Sequence, residues 1–186
     1  MREPGLLGRT CLIGVRGVGK TTFIRSVLAE LPDVDYIIGS AVLRQLAGPE
    51  FERFDYLPRE RKEHFRRASI EHMEARQAQL RKHILCDGHT ALLDESTGKV
   101  EDVFTEHDCR FFDTLVLLEA PLEVVLARRR SDPSKRRSLD PEVLKAEIAW
   151  EQQNSVRIAR RWGMALHTLP MDAERARATF MEVMRR

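Results

Sequence analysis

The nine residues Gly14-Val15-Arg16-Gly17-Val18-Gly19-Lys20-Thr21-Thr22 constrain this chain more than any other stretch. They satisfy the spacing G-x-x-x-x-G-K-[ST], which is demanding because each position has a physical reason. A loop wrapped around a polyphosphate needs glycine where a Cβ would clash, and successive backbone N–H groups that point inward. Thr10-Cys11-Leu12-Ile13 ahead of the loop is a short apolar run of strand type, and Thr22 to Leu28 behind it has helical spacing. Strand, loop and helix in that order aim the positive end of a helix at the bound anion. In this chemistry Gly14, Gly17, Val18, Gly19 and Thr22 form the cradle for the polyphosphate of a bound nucleotide. Lys20 supplies a mobile cation for the β- and γ-phosphates, and Thr21 offers its hydroxyl to Mg²⁺.

The bulk properties narrow the surroundings. At 186 residues, 42% hydrophobic and 32% charged, the chain has the size and composition of one soluble globular domain. No apolar run approaches the ~20 residues that span a bilayer, and Met1-Arg2-Glu3-Pro4-Gly5 lacks the apolar core of a secretory signal, so no membrane partner is expected. Cys11, Cys86 and Cys109 stand far apart with no CxxC pair. That pattern indicates neither zinc nor a disulfide framework and fits a reducing cytoplasm. A net charge of +2, with two Trp and two Tyr scattered along the chain, argues against a nucleic-acid partner.

The rest of the chain alternates short strands with helices. The first helix runs to about Leu31, where Pro32 stops it, and Tyr36-Ile37-Ile38 is a second strand. Ser40 has the character of an N-cap for a helix through Leu46. Gly48-Pro49 ends that helix, Glu50 to Leu57 reads as irregular, and Pro58 opens a long charged helix to about Arg81. Its apolar stripe comprises Phe65, Ala68, Ile70, Met73 and Leu80. His83 to Asp87 reads as an interior strand ending in a carboxylate, and Leu92 to His107 as a surface excursion turning at Ser96-Thr97-Gly98. Asp113 to Glu119 is the next buried strand, followed by helices opened by Pro121 and Pro141, a short strand Met164 to Thr168, and a last helix from Asp172.

This alternation predicts an α/β three-layer P-loop NTPase fold with a five-stranded parallel sheet, and a single domain over 1–186. In such sheets ligands gather at the carboxyl ends of the strands, so the phosphate loop, Ser40, Asp87 and the loop after Glu119 fall on one edge. Asp87, at the end of a neighbouring strand, is the candidate metal carboxylate, with a turn or helix-cap aspartate as its plain alternative. Arg128, Arg129, Arg130, Lys135, Arg136 and Arg137 crowd ten positions around Ser131-Asp132-Pro133-Ser134. Such a run is often a solvated face. On this edge it also reads as a short cationic lid over about 128–140, since phosphoryl transfer spreads charge over oxygens that cations stabilise.

The phosphate loop, Gly39-Ser40-Ala41-Val42-Leu43-Arg44, Cys86-Asp87-Gly88-His89-Thr90, Glu119-Ala120-Pro121 with Arg128-Arg129, and a lid at Asp132 to Arg137 without zinc cysteines occur in order. In these pieces the chain resembles the P-loop nucleoside-monophosphate kinases, most closely the archaeal-type adenylate kinases. The resemblance implies ATP-dependent transfer to a nucleotide acceptor, with an acceptor-binding helical region at about 39–81. It makes Lys20, Arg128, Lys135 and Arg137 the catalytic cations, with Arg128 also near the donor base and Lys135 and Arg137 closing over the phosphates. Thr21 and Asp87 become the metal residues, and Ser40, Arg44 and Asp87 the acceptor side, with Arg44 gripping the acceptor phosphate bidentately. His89 has no evident mechanistic need. Two departures touch the acceptor or lid: Val100 to His107 replaces an expected proline-containing stretch, and Lys135 stands where arginine is common.

Two rival readings share the loop. A small-molecule kinase of the shikimate or gluconate type would use Asp33-Val34-Asp35 to orient a hydroxyl and would not need Arg44. A nucleotide-dependent switch or assembly ATPase would turn over slowly without a second nucleotide. Neither the acceptor nor an oligomeric state follows from the sequence.

Overall fold

The computed structural model describes residues 7–94, 97–132 and 137–185. Its main sheet comprises β1 (Arg9–Ile13), β2 (Val34–Ile38), β3 (His83–Asp87), β6 (Thr114–Leu117) and β7 (Ala165–Thr168), all parallel, in the order β2-β3-β1-β6-β7. A parallel sheet is covered on both faces, so its inner strands must be apolar at every position. Accordingly all of β6 and Thr10 to Ile13 of β1 are buried. Alternate residues feed opposite cores. Cys11, Ile13, Ile84, Cys86, Leu115 and Leu117 pack with Ile70 and Met73 of α3 (Arg59–Leu80) and with Ile158 of α6 (Pro141–Trp162). Leu12, Leu85 and Val116 pack instead on α1 (Lys20–Val27) and α7 (Ala173–Arg185), where Phe180 meets Phe23 edge to face at 5.2 Å. This is the expected three-layer α/β architecture.

A third apolar cluster holds the loop itself. Val15 and Val18 pack on Val125 and Leu126 of α5 (Leu122–Ser131) and on Leu144 of α6. Helix α6 starts sharply because Asp140 accepts from the Glu142 N–H at 2.8 Å and Pro141 sits at the first helical position.

Four expectations change. Helix α2 (Gly39–Ala47) begins two residues early, with Ile38 as its N-cap and no side-chain cap, so Ser40 lies inside its first turn. Gly39 permits this, since a Cβ there would stand 3.0 Å from the Asp87 carbonyl oxygen. Gly48–Tyr56 is not irregular but a kinked 3₁₀ segment. On α3 the buried stripe is Phe65, Ser69, Ile70, Met73 and Gln77, while Leu80 is 39% exposed at the helix end. The excursion after Asp87 is an antiparallel hairpin of β4 (Ala91–Asp94) and β5 (Lys99–Asp102), followed by α4 (Glu106–Phe111). Thr105 and Asp108 cap α4 reciprocally. Among the described residues no helix is long and apolar enough to cross a membrane.

Candidate active site

The loop's conformation is glycine chemistry at two points. Gly14 stands at φ 144, and a Cβ there would lie 2.5 Å from the Leu118 carbonyl oxygen. Gly19, at φ 107, is the left-handed N-cap of α1. Lys20, the first residue of that helix, is 6% exposed and turns back across the loop. Its Nζ donates to the Gly14 carbonyl at 2.6 Å, stands 3.9 Å from Asp87 Oδ1 and reaches both His89 ring nitrogens at 3.5 Å. Burial lowers the Lys20 pKa, with the charges of Asp87 and Glu151 opposing that shift. Burial also drives the His89 imidazole well below its usual range, helped by Lys20 and Arg16, so the ring is neutral beside the ammonium.

Asp87 ends β3 next to the loop, as its strand position implies. Thr21 Oγ1 donates to Asp87 Oδ2 at 2.8 Å, and the Tyr36 hydroxyl donates to the same oxygen at 3.3 Å. Burial and the carboxylate raise the Tyr36 pKa to about 12, which keeps it a donor. The hydroxyl and carboxylate are hard oxygen ligands side by side, suited to Mg²⁺. Among the described residues no three His, Cys, Asp or Glu side chains cluster as a metal cage, so such an ion would share its shell with phosphate and water.

The cations after β6 do reach the loop. An Arg128 guanidinium nitrogen, Nη1, donates to the Val18 carbonyl, and Arg137 Nη1 lies where a Cβ on Gly17 would meet it at 3.4 Å. Arg129, given no role of its own above, is 3% exposed and structural. It donates to the carbonyls of Arg16 and Ser138, each at 3.0 Å, and pairs with Glu147 at 2.7 Å. Lys135 lies outside the described residues, as does the 133–136 part of the lid.

The loop opens into a cleft of about 1900 Å³ whose far wall is α2, α3 and the hairpin. Ser40 and Arg44 line it, and the exposed Arg44 guanidinium lies 4.8 Å from the Phe51 ring. Sequence reasoning missed Lys62, Arg66, Ser69 and Met73, whose spacing of four, three and four puts them on the cleft side of α3. Arg66 lies 5.9 Å from the Phe54 ring, and burial lowers its pKa against the nearby Asp108 charge. Lys62 is paired with Asp94 of the hairpin at 3.0 Å. Asp33 is exposed, and Asp35 is buried in a two-pronged pair with Arg76, so neither lines the cleft.

A phosphate loop after the central strand of a parallel five-stranded sheet, with an acid ending the adjacent strand, defines a P-loop nucleotide-binding domain of kinase fold. Residues 13–145 match the AAA domain family, and the chain belongs to it. Three solved structures are among those that share the fold. A sugar kinase from Janibacter sp. HTCC2649, without ligand, superposes with a TM-score of 0.59 at 17% identity, over 95% of this chain and 94% of that one. Shikimate kinase from Acinetobacter baumannii, in complex with shikimate, gives 0.54 at 17% identity, over 97% and 93%. A chain of the Pnkp1/Rnl/Hen1 RNA repair complex gives 0.54 at 13% identity over 81% of this chain, which spans only 46% of that one. No curated protein matches the chain in sequence.

Proposed function

We propose that this chain is an ATP- and Mg²⁺-dependent phosphotransferase whose acceptor is a nucleoside monophosphate, acting in the cytoplasm. One observation carries the acceptor reading. Arg44 and Arg66 both line the cleft opposite the phosphate loop and, among the described residues, neither has an ion-pair partner. Guanidinium groups without an ion-pair partner suit an acceptor that already carries a phosphate, which arginine grips through two parallel bonds.

When bound, Mg²⁺ neutralises charge on the phosphate oxygens; Thr21 and Asp87 would hold it. Lys20 meets the transferring phosphoryl group, and Arg128 and Arg137 supply further positive charge from the lid side. Arg128 exchanges its bond to the Val18 carbonyl for one to the nucleotide. Phe51 and Phe54 offer the acceptor base an aromatic wall. In-line transfer then depends on positioning and on fixed positive charge.

A shikimate- or sugar-type kinase is the second reading, favoured by fold similarity that covers nearly all of both chains. The burial of Asp35 against Arg76 weighs against the hydroxyl-orienting role which that reading gave it. A coupled assay of ATP consumption with AMP, the other nucleoside monophosphates, shikimate and simple sugars decides between them. Rapid transfer to one monophosphate supports the proposal, and transfer only to an unphosphorylated polyol replaces it. Slow hydrolysis indifferent to acceptor points to a nucleotide-driven switch.

A further inference from the structure

Glu151, midway along α6, is 1% exposed, and its carboxylate takes its bonds from backbone and hydroxyl donors. The Gly14 N–H donates to Oε1 at 3.1 Å. The Thr90 N–H lies between the two oxygens at 3.0 and 3.2 Å, Thr90 Oγ1 donates to Oε2 at 2.9 Å, and the Ala91 N–H donates to Oε2 at 2.8 Å. One turn further along the helix, Asn154 Nδ2 donates to the Thr90 carbonyl at 2.9 Å. A buried carboxylate is costly unless its lone pairs are taken up. Here they are taken up by four donors from two separate loops, which an amide or an apolar side chain of the same size could not accept together.

Those two loops are the ones that surround the Lys20 ammonium. Gly14 gives its N–H to Glu151 and its carbonyl to Lys20 Nζ, so a single residue at φ 144 separates the two bonds. His89, 3.5 Å from Nζ, directly precedes Thr90. The third neighbour of the ammonium, Asp87, is held separately by Thr21 and Tyr36.

We propose that Glu151 is a positioning residue for Lys20, fixing where the ammonium stands in the phosphate loop by holding Gly14 on one side and the His89-Thr90 peptide on the other. The inference rests on reading Lys20 as the phosphate-binding cation, and it is independent of which acceptor the enzyme uses. It is tested by titrating the full chain with ATP and Mg²⁺, without acceptor, in a double-mutant cycle. Glu151→Gln is expected to weaken ATP binding about tenfold in the wild-type background and less than about twofold in a Lys20→Ala background, because the residue acts through the lysine. Equal losses in the two backgrounds, or unchanged affinity in a folded Glu151→Gln protein, overturn the proposal. If Glu151→Gln does not fold, Thr90→Val removes one of the four donors. It is expected to weaken ATP binding about threefold only where Lys20 is present, and an equal effect in both backgrounds again refutes the role. Failure of the wild-type chain to bind ATP overturns the nucleotide reading itself, and this inference with it, before any variant is compared.

Discussion

In the proposed reaction Lys20 is the residue on which the chemistry turns, and its surroundings show how a buried cation is kept useful. It is desolvated, which works against its charge, yet Asp87 and the field of Glu151 stand close enough to oppose that cost. Lys20→Ala is expected to lower phosphotransfer by about 10²- to 10³-fold with an unchanged far-ultraviolet circular dichroism spectrum. Full turnover in a folded variant would remove the loop from the mechanism. On the opposite wall, Arg44→Ala and Arg66→Ala are expected to raise the acceptor KM at least about tenfold while ATP affinity holds. Loss of ATP affinity instead would put those side chains on the donor side. The thiols should be inert. Contact with Cys86 and burial raise the Cys11 pKa, and burial pushes Cys109 up to about 11. Raised values mean less thiolate at pH 8 and Cys86 is 4% exposed, so iodoacetamide should label none of the three in the native protein and all three in urea, as intact-mass measurement would show.

The elements that carry the most obvious chemistry were legible and those that support it were not. The three inner strands of the main sheet, β3, β1 and β6, follow from their apolar runs, because a strand buried on both faces declares itself without help from its neighbours. Strand β5, Lys99 to Asp102, is exposed at three of its four positions, so nothing in its pattern betrays a hairpin. Likewise Lys62 and Arg66 look like a solvated helix face until the hairpin and Phe54 close over them. Glu151 sits in a polar run, Glu151-Gln152-Gln153-Asn154, and only the packing of α6 on the hairpin and under the loop gives it four donors. The pair Arg129–Glu147 is of the same kind and ties α5, α6 and the Arg16 carbonyl together out of water. Arg129→Ala strands a buried carboxylate and is expected to destabilise the fold by about 3 to 5 kcal/mol in urea unfolding. A loss within experimental error would mean that water reaches Glu147.

For the molecule entire, ligand binding and stability are linked, since a nucleotide bound only by the folded chain adds its binding free energy to folding. At about 100 times Kd this amounts to about 2.7 kcal/mol, and for a domain of this length it should raise Tm by about 5 to 10 °C. Differential scanning fluorimetry with ATP and Mg²⁺ should show that rise in the wild type and lose most of it in Lys20→Ala. The order β2-β3-β1-β6-β7 also carries a consequence for how such a chain can change over time. In the proposed function, the segments given to the acceptor, α2, α3 and the hairpin, hang from β2 and β3, Arg128 and Arg137 follow β6, and the phosphate loop rises from the strand between them. On that proposal the sheet works like a bench with two independent vices: the 39–81 segment can be recut for a new acceptor while the grip on ATP stays as it is.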